Sequence, residues 1–328
     1  MKSTNNMPII DQLDEQILNQ LLQDGRKSFV EIGKECNTPY ETIIKRYKEM
    51  KKQGIIIGAT NQINYRFYGI RYMGTIAIDT GEEDVEKLKK YLNTIPNVGS
   101  ILTSYKKYSL TAILYLTTVQ EFEEIKEKIR RYSSITTLGI NSNLWVDIKN
   151  IPENLFLECP GQIKEADNNG KRAEEFIEFD DIDIQLIDSL SKNARRPFSK
   201  IAQEIETSVD TVIRRYERLK RKKVIKVVIQ IDPRKVGFQA NASFYISIQS
   251  QGTVDAVVSS LSKMRYVYLI TKIMGEADLF VLGAVKDFND FFTLRDQIAK
   301  LPFTRIIGAE ITDAPTVFPG PSLHMSTF

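Results

Sequence analysis

The chain has 328 residues, of which 42% are hydrophobic and 27% charged, with a formal net charge of +3. This length fits about two domains, and the composition is that of a globular protein rather than a fibrous or disordered one. No apolar run approaches the roughly 18 residues that span a bilayer, no signal-peptide pattern opens the chain, and Cys36 and Cys159 offer no metal or redox spacing, so a cytoplasmic protein without metal or cofactor is expected.

The chain then repeats itself at one fixed offset. Leu13-Asp14 falls on Ile182-Asp183, Arg26 on Arg195, Phe29 on Phe198, and Arg46-Tyr47 on Arg215-Tyr216 without a gap. A period this long marks duplication of a domain-sized unit, not a solenoid. In the first copy, Ile10, Leu13, Ile17, Leu18, Leu21 and Leu22 make the apolar stripe of one helix, started by Asp11 or Asp14. After Asp24-Gly25 a second helix spans 29–36, and Thr38 as N-cap with Pro39 in the first turn begins a third, 40–53. That helix stops at Gly54, a natural position for a left-handed residue, before the β-branched run Ile55-Ile56-Ile57. The second copy repeats the plan over 182–192, 198–204, 208–222 and the strand 224–231, with Thr207 as its cap.

Each copy continues as strand, helix, strand, strand, helix, strand. This is the order of the ferredoxin-like split βαβ, an antiparallel sheet with both helices on one face. The resulting α+β architecture has a winged helix-turn-helix at 9–60, a ferredoxin-like domain at 61–146, a linker at 147–179, a second winged helix-turn-helix at 180–230, a second ferredoxin-like domain at 231–313 and a tail at 314–328. Leu155, Phe156 and Leu157 are the linker residues suited to dock on a domain.

A short helix, a three-residue link and a longer helix form a helix-turn-helix whose longer helix enters a major groove. Val209, Val212, Tyr216 and Leu219 should face inward, as should Tyr40, Ile43, Tyr47 and Met50. That leaves Asp210, Thr211, Arg214, Arg218 and Arg221 outward, with Glu41, Thr42, Lys45, Lys48 and Lys52 in the first copy and Arg46 and Arg215 at the stripe edge. Ser208 and Lys222 flank the second helix, and Lys222, Lys223 and Lys226 stand at the turn into the strand, or wing. Such a face pairs with phosphates and reaches base edges with a few long side chains. The alternative is a solvated charged helix face.

At these residues the chain resembles the Lrp/AsnC (feast/famine) family of transcription regulators. The resemblance is carried by Leu13-Asp14-x-x-Ile17-Leu18, Gly25-Arg26, Thr211-Val212-x-x-Arg215-Tyr216-x-Arg218-Leu219, Gly54-Ile55-Ile56, and Ile231-Asp232-Pro233-Arg234-Lys235-Val236-Gly237. It implies two RAM-type effector domains whose sheets pack together, so that one chain imitates a family dimer, with further self-association and double-stranded DNA as partner. It also implies a small effector, often an amino acid, near the turn between the second and third strands. There Gly275-Glu276-Ala277-Asp278 matches the family's Gly-x-x-Asp, with Gly275, Glu276 and Asp278 as candidates, or as residues that only shape a hairpin. The first copy has Lys106-Lys107-Tyr108-Ser109 in that place. Two other readings share the build: a tandem siroheme decarboxylase-like enzyme, disfavoured because His324 in the tail is the only histidine, and a sensor or interaction protein with reduced DNA binding.

Overall fold

The structure is a computed structural model describing residues 10–103, 108–132, 137–156, 178–249 and 251–320. Leu157, Cys159, Lys106, Lys107 and His324 lie outside these residues. The first half runs α1 (Gln12–Gln23), α2 (Phe29–Glu35), α3 (Tyr40–Lys52), β1 (Ile56–Ile63), β2 (Tyr72–Thr80), α4 (Glu82–Leu92), β3 (Val98–Thr103), β4 (Leu110–Leu116), α5 (Val119–Arg130) and β5 (Thr137–Asn150). The second half repeats it as α6 (Asp181–Lys192), α7 (Phe198–Glu204), α8 (Val209–Arg221), β6 (Ile225–Ile231), β7 (Ala240–Ile248), α9 (Val254–Leu261), β8 (Val267–Met274), β9 (Leu279–Val285), α10 (Phe288–Ala299) and β10 (Thr304–Asp313).

Each half builds the expected ferredoxin-like sheet, in strand orders β5-β2-β4-β3 and β10-β7-β9-β8. Leu88, Leu92, Phe122, Ile125 and Ile129 close the first sheet from α4 and α5, and Val257, Leu261, Leu294 and Ile298 close the second from α9 and α10. The expectation of two sheets stacked as layers needs correction. They are joined along an edge into one eight-stranded antiparallel sheet. The joint is β5, which pairs with β2 from Thr137 to Trp145 and with β8 from Leu144↔Met274 to Asn150↔Leu269, the two pairings overlapping at Leu144 and Trp145 and the second irregular between Trp145 and Asp147. The stretch read as linker from 147 is therefore strand at first. It continues as a 3-10 turn, Pro152–Phe156, which buries Asn154, Leu155 and Phe156. The tail is likewise partly built in, because Phe318 is buried and exchanges backbone hydrogen bonds of 2.8 Å with Ile231.

The strands read as wings also behave differently. They fold back on no hairpin of their own; β1 pairs with β6 as a two-stranded antiparallel ribbon shared by the halves. Thr60 opposes Val228, the counterpart of Ala59, while Ala59 opposes Ile229, the counterpart of Thr60. Such self-complementary register is the signature of a two-fold interface, here contained within one chain. The boundaries placed at 60/61 and 230/231 thus fall in or beside this ribbon rather than between separate bodies. Cores cross it too. The first helix-turn-helix packs Ile17, Leu21, Ile43 and Met50 with Ile229, Ile231, Phe238, Tyr268 and Phe318 of the second half. The second packs Leu186, Val212, Tyr216 and Leu219 with Ile63, Tyr65 and Tyr68 of the first.

Candidate nucleic-acid interface

Both helix-turn-helix units start from the same capping chemistry. Asp11 accepts from Asp14 N (3.0 Å) while Asp14 accepts from Asp11 N (3.3 Å), and Asp180 and Asp183 repeat the exchange at 3.0 and 3.4 Å. Two otherwise orphaned helix-end donors are satisfied reciprocally. The carboxylates then anchor the third helix. Arg46 reaches Asp11 at 2.7 Å and Asp14 at 3.1 Å; Arg215 reaches Asp180 at 2.6 Å and Asp183 at 3.3 Å, and Arg218 also bonds Asp183. The Asp14 N–H holds the Asp11 carboxyl below its ordinary value against desolvation, with Arg46 adding to it; Asp180 is lowered likewise by Asp183 N–H and Arg215. Burial pushes Asp14 upward. The recurrence of Asp14/Asp183 together with Arg46/Arg215 was the available sequence signal for this pairing.

A second pair of recurring arginines ties the two units together. Arg26 donates to the carbonyls of Ala194 (2.5 Å) and Arg196 (2.9 Å), with its guanidinium 3.9 Å above the Phe198 ring. Arg195 donates in return to the Gly25 carbonyl and lies 5.2 Å from the rings of Phe29 and Tyr47. Burial lowers the Arg26 pKa, yet a guanidinium stays charged. Gly25 allows the close approach: its N–H donates to Val227 at 2.7 Å, and a Cβ there would meet the Val228 backbone at 2.7 Å. This interlock was not anticipated, although both arginines were visible as a repeat.

The outward faces of α3 and α8 hold Lys45, Lys48, Lys52, Arg214 and Arg221 exposed, with none of these five carrying an ion pair among the described residues. Thr42 and Thr211 are half-buried, and Asp210 and Lys222 are exposed. Ser208, not Thr207, is the N-cap of α8, its Oγ accepting from Thr211 N at 3.1 Å. Pro39 occupies that place in α3 without a side-chain acceptor, and the Thr38 hydroxyl donates to Cys36 O instead. Tyr40 and Val209, expected inside, are 47% and 40% exposed, because each is the first helical residue, beyond the reach of α1 or α6. They join Ile213, also 40% exposed, on the outer face. Strict counterparts also sharpen the pairing: Arg218 falls on Glu49 and Glu217 on Lys48. Lys226 bonds Glu153 at 3.2 Å and Lys220 bonds Asp24 at 2.7 Å. Both helix ends need a left-handed residue, met by Gly54 at φ 70° and by Lys223 at φ 58°.

At the turn between β8 and β9, Asp278 accepts from Ile248 N at 2.7 Å and its own N–H donates to Ile246 O. The carboxylate thus ties the turn to the end of β7. Gly275 has no left-handed backbone; a Cβ there would stand 3.3 Å from Asn143 Oδ1 on β5 of the first half. Glu276 is exposed.

The AsnC-type helix-turn-helix domain matches residues 10–51 and 179–220, the two units described above. A Pyrococcus furiosus protein described as an uncharacterized HTH-type transcriptional regulator is 30% identical over 128 residues, covering 38% of this chain and 83% of the relative. The HTH-type transcriptional regulator LrpA of Pyrococcus horikoshii is 26% identical over 129 residues, covering 39% of this chain and 92% of LrpA. Among solved structures, the siroheme decarboxylase NirDL shares the fold over 96% of this chain and 94% of its own, with TM-score 0.56 and 13% identity. Among the described residues, no helix is long and apolar enough to cross a membrane.

Proposed function

Because the chain belongs to the Lrp/AsnC family of helix-turn-helix regulators, we propose that it binds operator DNA as a single chain, α3 and α8 each entering a major groove. It is a DNA-binding transcription regulator of that family; the single-chain mode and the residues that carry it are our reading. The observation behind it is the pairing of both units through the β1–β6 ribbon and the Arg26/Arg195 exchange. This fixes two reading helices in a two-fold arrangement, as two half-sites on one duplex require. Arg214, Arg221, Lys45, Lys48 and Lys52 supply phosphate and base contacts, with Ser208, Asp210, Thr211, Thr42 and Lys222 beside them. Arg46, Arg215 and Arg218 act mainly through the aspartates they hold, orienting the helices.

The test is a salt titration of DNA affinity comparing wild type with Arg214→Ala/Arg221→Ala. We expect weaker binding and a log–log salt slope smaller by about one to two, according to whether one or both side chains neutralise a phosphate. Unchanged affinity and slope would remove α8 from the interface.

A small-molecule effector, such as an amino acid, would meet Glu276 at the β8–β9 turn, since Asp278 is held by Ile248 N–H. Calorimetric titration with amino acids tests this. The likeness to a siroheme decarboxylase is one of fold, and we read the chain as a regulator rather than an enzyme because a single histidine, His324, is available to it. A siroheme titration followed by absorbance separates the two, a bound spectrum favouring the enzyme.

A further inference from the structure

The backbone that presents α3 and α8 is two-fold, but the chemistry it presents is not. The register of β1 on β6 relates the halves symmetrically, and α3 and α8 have the same length of 13 residues. At their N-terminal ends, where a recognition helix meets base edges, the counterparts differ. Tyr40 stands where the second half has Val209, and Lys45 where it has Arg214, all four exposed. Lys48 and Glu49 on α3 face Glu217 and Arg218 on α8 with both charges inverted. Glu41 and Asp210 keep one acidic position in common.

We propose that the chain reads a non-palindromic operator, with a strictly specified half-site under α8 and a more permissive one under α3. This rests on the DNA-binding reading above and adds its specificity. Arg214 carries the strict half. A guanidinium forks onto guanine O6 and N7, whereas the Lys45 ammonium is a point charge that fixes a base far less. Val209 and Ile213 add small apolar contacts suited to a thymine methyl, and Asp210 an acceptor for cytosine N4. On α3 the Tyr40 ring occupies the Val209 position, so the second half's bases cannot be met in the same way. On α8, Arg218 leaves the reading to Arg214, because it is held on Asp183. On α3 Glu49 stands in the place of Arg218, and among the described residues Arg46 alone of the arginines pairs with Asp14.

The experiment is selection of bound duplexes from a randomised pool by the full chain, followed by affinities for the selected site and for its two palindromised forms. The expected consensus has two unlike halves at two-fold spacing, one with a strong guanine requirement. The duplex carrying two copies of the permissive half should bind about tenfold or more weaker, the scale of one or two lost base contacts under α8, whereas the duplex carrying two copies of the strict half should lose less. A palindromic consensus, with equal affinity for both symmetrised duplexes, overturns the inference but keeps DNA binding. No enrichment of any sequence overturns both.

Two surface variants keep the assignment to these positions falsifiable. Lys45→Arg should impose the guanine requirement on the permissive half, and Arg214→Lys should relax it in the strict half. Unchanged consensus in both variants would show that this position does not read bases.

Discussion

Removing the Arg26 guanidinium should loosen the joint between the two helix-turn-helix units without touching either reading face. Arg26→Ala deletes two charge-assisted hydrogen bonds, to Ala194 O and Arg196 O, and the seat on Phe198. Such bonds are worth about 1.5–3 kcal/mol each, and the cation–π contact about 0.5–1 kcal/mol. Arg26 is half-buried and water can replace part of what is lost, so a cost of about 2–3 kcal/mol is expected. Arg195→Ala should cost less, about 1–2 kcal/mol, since one carbonyl, Gly25 O, is its acceptor and its rings are farther away. The two arginines lie beside each other's acceptors, so their losses should not add; a coupling of about 0.5–1 kcal/mol is expected from a double-mutant cycle. Urea unfolding followed by circular dichroism gives the energies, and DNA affinity should fall with them because half-site spacing is no longer fixed. Costs below about 0.5 kcal/mol for both single variants, or full additivity, would refute the interlock.

Three further outcomes follow from the same geometry. Asp183→Ala strips the fully buried acceptor of Arg215 and Arg218 and should destabilise by about 3 kcal/mol, with Asp183→Asn recovering part of it; a thermal melt equal to wild type would contradict the anchoring role. Asp11 and Asp180 lie below the ordinary 3.8 in the folded chain, so their stabilisation is present above that pH and is lost as pH falls through their folded values. Asp14, raised above 3.8, has the opposite sign, its contribution being lost as pH rises through its folded value; an Asp11→Asn/Asp180→Asn variant should flatten the acid limb of a stability–pH curve, and an unaltered limb would assign it to other groups. Asp278→Ala removes the acceptor of Ile248 N and should cost about 1–2 kcal/mol, measured by melting with and without amino acids.

Patterns local in sequence were the legible ones. The α1 stripe, the stop at Gly54 and the βαββαβ order depend on spacing within one element, and the structure follows them closely. What could not be read was which copy each element would meet. A β-branched strand such as Ile225–Ile231 has two edges, and nothing in its composition says that its partner is Ile56–Ile63 rather than a hairpin mate. Likewise the sequence ends this strand before a linker at 147, but β5 runs on to Asn150 because β8 of the other half pairs with it from Leu144 onward. At the candidate interface, charge marked α3 and α8. It did not separate Arg214, which faces outward, from Arg218, which is drawn inward by Asp183 more than thirty positions away in sequence.

The shared ribbon has a consequence for the cell's copy number of this regulator. Two separate subunits joined by such a ribbon would come apart on dilution, and their DNA affinity would carry the cost of reassembly. Here β1 and β6 belong to one chain, so their pairing does not depend on protein concentration. The two helix-turn-helix units are therefore paired at any expression level, and under the single-chain binding proposed above a handful of molecules would hold an operator as efficiently, per molecule, as thousands.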